Sequence, residues 1–200
     1  MSVTTETGAP TTTILLVGVG GQGTILAGDI LAKTAAAAGM DVKISEIHGM
    51  AQRGGSVSTV VRVGAQVHSM ICDPGCADVV VAFEAVEALR AQEYLAADGA
   101  MIVNEELISP VMVNIGRAAM PDDVYERLAD LHATVVPASR LATEVGSPKS
   151  ANVVLMGALS TKLPFDEGTW REVIARRVPP KTVEANLKAF EAGRRAAAEA

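Results

Sequence analysis

A continuous aliphatic run, Thr13-Ile14-Leu15-Leu16-Val17, breaks into Gly18-Val19-Gly20-Gly21-Gln22-Gly23 and passes directly into the helix-forming stretch Thr24 to Ala38. No other feature of the chain constrains its fold as tightly. The run lacks polar alternation, so it reads as a strand buried on both faces. The glycines permit a tight exit from the strand and expose backbone N–H groups at a helix start. Ile25, Leu26, Asp29, Ile30 and Lys33 recur at helical spacing, and Gly39 supplies a C-terminal cap. Val42 to Ile47 reads as the next strand. Such a β-α-β unit predicts two parallel strands joined by a right-handed crossover.

Further along, Ser56 to Val63 alternates, Gly64-Ala65 turns, and Gln66 to Ile71 reads as a returning strand, giving a β-hairpin. Cys72-Asp73-Pro74-Gly75-Cys76 is turn chemistry. Asp78 to Phe83 reads as a buried strand, Glu84 to Ala97 as a helix with Gly99 beyond its end, and Ala100 to Asn104 and Thr134 to Pro137 as strands. Leu141 to Val145, Ser150 to Lys162, Phe165 to Arg177 and Pro180 to Ala200 read as helices, punctuated by Pro164 and Pro179-Pro180. The order predicts an α/β fold: a Rossmann-like, mainly parallel sheet with an inserted β-hairpin and a helical C-terminal part. Residues 1–12 read as a flexible tail and 13–200 as one domain.

Composition narrows the function classes. Hydrophobic residues make up 49% of the 200, too many for a disordered chain. No apolar run approaches the ~18 residues of a membrane span, and the first residues lack the regions of a signal peptide. A net charge of −6 argues against a nucleic-acid surface. Two cysteines give no disulfide framework. The expectation is a soluble, acidic, cytoplasmic protein.

Gly18, Gly20 and Gly23 match the dinucleotide fingerprint GxGxxG, and Glu46 stands about 20 residues on, where an acidic residue would meet a ribose hydroxyl. Against this stand the extra Gly21, the polar Gln22 and the delayed next parallel strand. Three readings therefore stay open: a dinucleotide site, a site for another phosphate-bearing ligand, and a purely structural turn. The first would make the chain a stand-alone NAD(P)- or FAD-binding oxidoreductase.

Four segments together carry a more specific signal: GVGGQG with TILAGDILAKTA; VKISEIHGMAQRGGSVSTVVRVG; ADVVVAFEAVEALR; and NVVLMGALSTKLPF with VPPKTVEANLKAFEAG. Over roughly Thr13 to Gly193 the chain resembles the small, beta-type subunit of indolepyruvate:ferredoxin oxidoreductases, the same domain as the gamma subunit of the pyruvate and 2-oxoisovalerate enzymes. The segment His48 to Gly55 carries the wording of the aryl-pyruvate branch. The resemblance implies a complex that oxidatively decarboxylates a 2-oxoacid, indolepyruvate or another aryl pyruvate, to an acyl-CoA. It implies a large alpha subunit as partner, carrying thiamine diphosphate and iron–sulfur clusters, with electrons leaving to ferredoxin. The small subunit would then bind no cofactor alone, help form the CoA-facing side and lack activity in isolation. Two cysteines agree with this, since a four-iron cluster needs four thiolates. A separate, structural reading is a self-associating domain with an empty glycine turn, whose apolar partner face would pair with a second copy when the partner is missing.

The candidate binding residues are Gly18, Gly20, Gly21, Gln22 and Gly23 of the glycine turn, and His48, Gln52, Arg53, Gly54 and Gly55 of the second loop. Arg53 offers a fork of donors for a phosphate or carboxylate, or for a neighbouring subunit's carboxylate. His48 is read as a proton carrier or as a ring bonded to a backbone carbonyl. Gln22 and Gln52 are amide donors to a phosphate or to a loop carbonyl, and Met50 packs. Ser150 or Asn152 is expected to cap a helix, with Asn152 also near the ligand edge. Glu84 suits a helix start, and Lys181 is an interface contact or a solvated charge. No catalytic or metal-binding residue is expected.

Overall fold

Six strands, β1 (Thr12–Val19), β2 (Asp41–His48), β3 (Ser56–Gly64), β4 (Ala77–Ala82), β5 (Leu95–Asn104) and β6 (Thr134–Val136), form one sheet in the order β2-β3-β1-β4-β5-β6. The computed structural model describes residues 11–48, 55–109 and 111–199, the side chains of His48 and Val111 excepted. Most of the expected tail (1–10), together with Met50, Gln52, Arg53 and Gly54, lies outside the described residues.

β1, β4, β5 and β6 run parallel, as a mainly parallel sheet requires. β3 runs antiparallel to both β1 and β2 and stands between them. β1 and β2 therefore point the same way without being neighbours, a correction to the simple β-α-β expectation. The inserted hairpin exists, but it is made by β2 and β3. The expected return strand at 66–71 is absent. With both edges of β3 occupied, no ladder is left for that segment, and side chains fasten it instead. Val67 N–H donates to Asp41 Oδ2 at 2.8 Å, and Arg62 Nη1 donates to the carbonyls of Ser69 and Ile71, each at 3.2 Å.

Helices cover both faces of the sheet: α1 (Thr24–Ala37), α2 (Ala85–Ala91), α3 (Val111–Asn114), α4 (Val124–Asp130), α5 (Ala138–Glu144), α6 (Ala151–Ser160), α7 (Glu167–Arg177) and α8 (Val183–Glu199). Strand alternation divides the core. Ile14, Leu16, Val61, Val81 and Ile102 face α1 and α5 to α8. Leu15, Val17, Val60, Val80 and Val103 face α2 and α4. Ile14, Leu16 and Ile102 are fully buried, which is worth roughly 1.5–3 kcal/mol for each such side chain. Trp170 lies between Phe165 and Phe190. α6 and α8 cross at backbone contact, because an added Cβ at Gly157 would sit 2.0 Å from the carbonyl oxygen of Phe190.

The helix expected over Glu84 to Ala97 ends early. α2 stops at Ala91, a short 3-10 turn covers Gln92 to Tyr94, and β5 begins at Leu95. Gly99 does not follow a helix; it lies within β5. There the pairing with β4 shifts register after Ala77, and a Cβ on Gly99 would stand 2.9 Å from the carbonyl oxygen of Ala77. α3 and α4 occupy a stretch to which no element was assigned from sequence.

Candidate functional site

β1 carries Gly18 as a strand residue, and the turn proper occupies Gly20 to Gly23. Gly18 is required by crowding. A Cβ there would meet Gln22 Oε1 at 2.8 Å and Phe83 Cβ at 2.9 Å. Gly21 and Gly23 have φ of +109° and +84°, values that L side chains rarely adopt. Gly20 N–H donates to the carbonyl of Gly55 at 2.8 Å, so the two candidate loops meet through their backbones.

The Gln22 side chain is engaged internally. Its Oε1 accepts from Val19 N–H at 2.8 Å, and its Nε2 donates to the carbonyl of Phe83 at 3.0 Å. The amide thus ties the turn to the end of β4. Asn152, on buried α6, holds the turn from the other side. Its Nδ2 donates to the carbonyl of Gly23 at 3.3 Å, and its Oδ1 accepts from Val153 N–H at 2.9 Å. The capping role expected of Ser150 is corrected, because its side chain makes no cap bond to α6, whereas the Asn152 amide oxygen takes up a first-turn N–H of that helix. Ser150 donates instead to Asn186 Oδ1 at 2.8 Å. The sequence reading put Asn152 near the ligand edge but not its bond to Gly23, for which the only local signal was an asparagine in a mainly apolar helix. Glu84 does cap α2: its Oε2 accepts from Glu87 N–H at 2.8 Å, and its Oε1 accepts from Ile108 N–H at 3.0 Å.

A cleft of about 400 Å³ opens beside the turn. Gly20, Gly21, Gly23, Thr24 and Ile25 form one side, and Glu46, Ile47, Val57, Ser58 and Thr59 the other. Glu46 pairs with Thr59 across β2 and β3, on the face that meets α1. Gly28 keeps α1 close to that face, for a Cβ there would stand 2.9 Å from Thr59 Cγ2. The first turn of a helix has N–H groups without intrahelical partners and a positive dipole end, and Gly23 provides no side-chain cap for α1. The cleft therefore joins an anion-favouring end at Thr24 to a hydrogen-bond acceptor at Glu46. His48 ends β2, and Gly55 lies just before β3. Gln52, Arg53 and Gly54 lie outside the described residues; of the three, only Arg53 carries a positive charge.

On the opposite face of β2 and β3 lies a second groove of about 470 Å³, bounded by Ser45, Ile47, Met70, Ile71, Cys72 and Glu87. Glu87 is almost fully buried; it accepts from Ser56 Oγ and from Arg90 Nη1, both at 2.5 Å. Among the described residues, no group of three or more His, Cys, Asp or Glu side chains is placed to hold a metal ion.

Residues 13–196 match the family model described as pyruvate ferredoxin/flavodoxin oxidoreductase. The chain belongs to the pyruvate ferredoxin/flavodoxin oxidoreductase family. Within it, the chain is 42% identical over 193 residues to the indolepyruvate oxidoreductase subunit IorB of Thermococcus kodakarensis, covering 93% of this chain and 96% of that protein. The gamma subunit of keto/oxoacid ferredoxin oxidoreductase from Geobacter sulfurreducens shares the fold, with TM-score 0.71 at 24% identity, covering 94% of this chain and 99% of that one. The 2-oxoglutarate:ferredoxin oxidoreductase of Magnetococcus marinus, solved with 2-oxoglutarate, coenzyme A and succinyl-CoA, matches at TM-score 0.72 and 26% identity; it covers 95% of this chain and 31% of that longer one. The family resemblance carried by the four sequence segments is thereby borne out, as is the α/β fold class.

Proposed function

We propose that this chain is the small subunit of a 2-oxoacid:ferredoxin oxidoreductase of the indolepyruvate type, whose complex converts an aryl pyruvate to an acyl-CoA and passes electrons to ferredoxin. The observation that carries this reading is the 42% identity to an indolepyruvate oxidoreductase subunit over nearly the whole of both chains. We take residues 13–200 as one domain and place the subunit in the cytoplasm; among the described residues no helix is long and apolar enough to cross a membrane.

The division of cofactors follows from the donor set. A four-iron cluster needs four thiolates, and the chain has two cysteines. The described residues thus do not fit a cluster. We assign the clusters and thiamine diphosphate to a large partner subunit. The glycine cleft does fit the nucleotide end of CoA: the first turn of α1 suits a phosphate, and Glu46 suits a ribose hydroxyl. CoA supplies the thiol that accepts the acyl group. In this reading Gly20, Gly21, Gly23 and Gly55 keep the backbone close to the ligand, Gln22 holds the turn in shape, and Arg53 with Gln52, Gly54 and His48 completes the anion side. Ile47 and Ile71, 64% and 69% exposed, belong to apolar surface that a large subunit, or a second copy in its absence, would cover.

The test is reconstitution. The chain, a candidate large subunit and their mixture are assayed for aryl-pyruvate-dependent, CoA-dependent ferredoxin reduction. Activity in the mixture alone is expected. Arg53→Ala in the mixture should lower turnover and raise the CoA concentration required; unchanged kinetics remove Arg53 from the anion side. The position of Glu46 beside the glycine turn also favours a second reading, a dinucleotide cleft. Saturable NAD, NADP or FAD binding by the chain alone, lost in Glu46→Ala, would select it.

A further inference from the structure

Cys72 and Cys76 stand at the two ends of Asp73-Pro74-Gly75, the turn that leads into β4. Several contacts fix this turn. Gly75 has a φ of +77°, its N–H donates to the carbonyl of Glu93 at 2.8 Å, and Cys76 N–H donates to the carbonyl of Asp73 at 3.1 Å. The preceding segment is fastened too, by Asp41 at Val67 and by Arg62 at Ser69 and Ile71. Held from both directions, the two free thiols touch, with their sulfurs 2.7 Å apart.

A pair already in contact joins without the backbone movement that distant cysteines require. Both side chains are half-buried, and Cys72 lines the second groove, so a small reagent has a route to the pair. Nothing in the proposed role of the subunit employs these thiols, and two are too few for a cluster or a zinc site.

We infer that Cys72 and Cys76 form a thiol–disulfide exchange site whose oxidant is a low-molecular-weight disulfide. Burial first, then the hydrogen bond and charge of Cys76, push the Cys72 thiol up to about 12, so Cys72 keeps its proton at neutral pH. One thiol of the pair, as thiolate, displaces one sulfur of the reagent disulfide, forming a mixed disulfide and releasing one thiol. The other, its sulfur 2.7 Å away, then gives up its proton and attacks the protein sulfur of the mixed disulfide, releasing the second thiol. One reagent S–S bond and two protein S–H bonds become one protein S–S bond and two reagent S–H bonds. The protein pair loses two electrons and the reagent gains them. The closed ring is short, so its entropic contribution to global stability is about 2 kcal/mol, the low end for a disulfide. It acts locally, fixing the wall of the groove that Met70, Ile71 and Cys72 provide.

The test uses the reduced full-length chain, incubated without oxygen with oxidised glutathione. The sample is quenched in acid, alkylated with N-ethylmaleimide under denaturing conditions and weighed intact. The expected product carries neither maleimide nor glutathione, is two hydrogens lighter than the reduced chain, and accepts two maleimides after dithiothreitol. Cys72→Ser is expected to stop with one glutathione retained on Cys76, since no second thiol remains to displace it. Wild-type protein that stays doubly alkylatable, retains glutathione, or links into covalent dimers overturns the inference.

Discussion

The side-chain amide of Asn152 donates to the carbonyl oxygen of Gly23 across 129 residues of chain, joining α6 to the turn after β1. Gly23 is the N-cap of α1 and has no side chain with which to cap it. A buried asparagine from a distant helix therefore holds the residue that sets the direction of α1. Asn152→Ala should destabilise the isolated chain by about 1–3 kcal/mol, the cost of losing a buried hydrogen-bonding partner. Urea unfolding measures it, and an unchanged midpoint would remove the brace from the account.

The crossing of α6 and α8 makes a sterically sharper prediction. A Cβ on Gly193 would lie 1.8 Å from the carbonyl oxygen of Val154, which is backbone and cannot swing away. Gly193→Ala should cost on the order of 3 kcal/mol, because the two helices must separate and the surrounding core must repack. Gly21→Ala is the contrast. Its Cβ meets nothing within 4 Å, but its φ of +109° remains unfavourable for alanine. Its effect should be smaller, about 1–2 kcal/mol, as read from thermal unfolding of the two variants side by side.

Glu46 distinguishes the occupants of the cleft. If its carboxylate holds a ribose hydroxyl, Glu46→Ala should weaken binding of the nucleotide ligand roughly tenfold, or about 1.4 kcal/mol. Calorimetric titration of the chain, and of its complex with a large subunit, against CoA and against NAD separates the two readings. Equal affinity of wild type and variant for every ligand would make Glu46 a bystander.

Asp29 predicts an acid-sensitive contact between α1 and α7. Burial alone would raise its pKa, but hydrogen bonds and charges from Lys33 and Arg177 outweigh burial and hold it below the ordinary 3.8. A carboxylate depressed in the folded state stabilises the fold above its unfolded-state value, and that contribution disappears as pH falls through the folded-state value. The stability gap between wild type and Asp29→Asn should therefore be full near neutrality. It should shrink as pH falls below the ordinary carboxylate range, as followed by denaturant unfolding at each pH.

How much of this was legible in the sequence depended on how local the cause was. β1, the glycine turn and α1 could be read directly because an unbroken apolar run, positive-φ glycines and helical spacing lie within a single stretch. β3 was legible as a strand from its alternation. Its neighbours were not, because pairing is decided by which edges are free, and the side chains of Asp41 and Arg62 that fasten residues 67–71 act from other elements. Gly99 shows how punctuation misleads: glycine marks a helix end and a strand irregularity equally well. α4 buries only Val124 and Leu128, too few residues to set a period. In the site, the positions of the glycines and Glu46 followed from spacing. The inward turn of the Gln22 amide and the reach of Asn152 depend on partners 61 and 129 residues away.

The bond from Gly20 N–H to the Gly55 carbonyl has a thermodynamic consequence. It couples the exit of β1 to the entry of β3, so whatever holds one in place restricts the other. A ligand seated at the first turn of α1 and a subunit pressing on the segment before β3 would each reduce the conformational freedom the other must remove. By linkage the benefit is reciprocal: the factor by which the partner tightens the ligand is the factor by which the ligand tightens the partner. Assembly of the complex and occupation of the cleft would then report on each other through a single peptide contact.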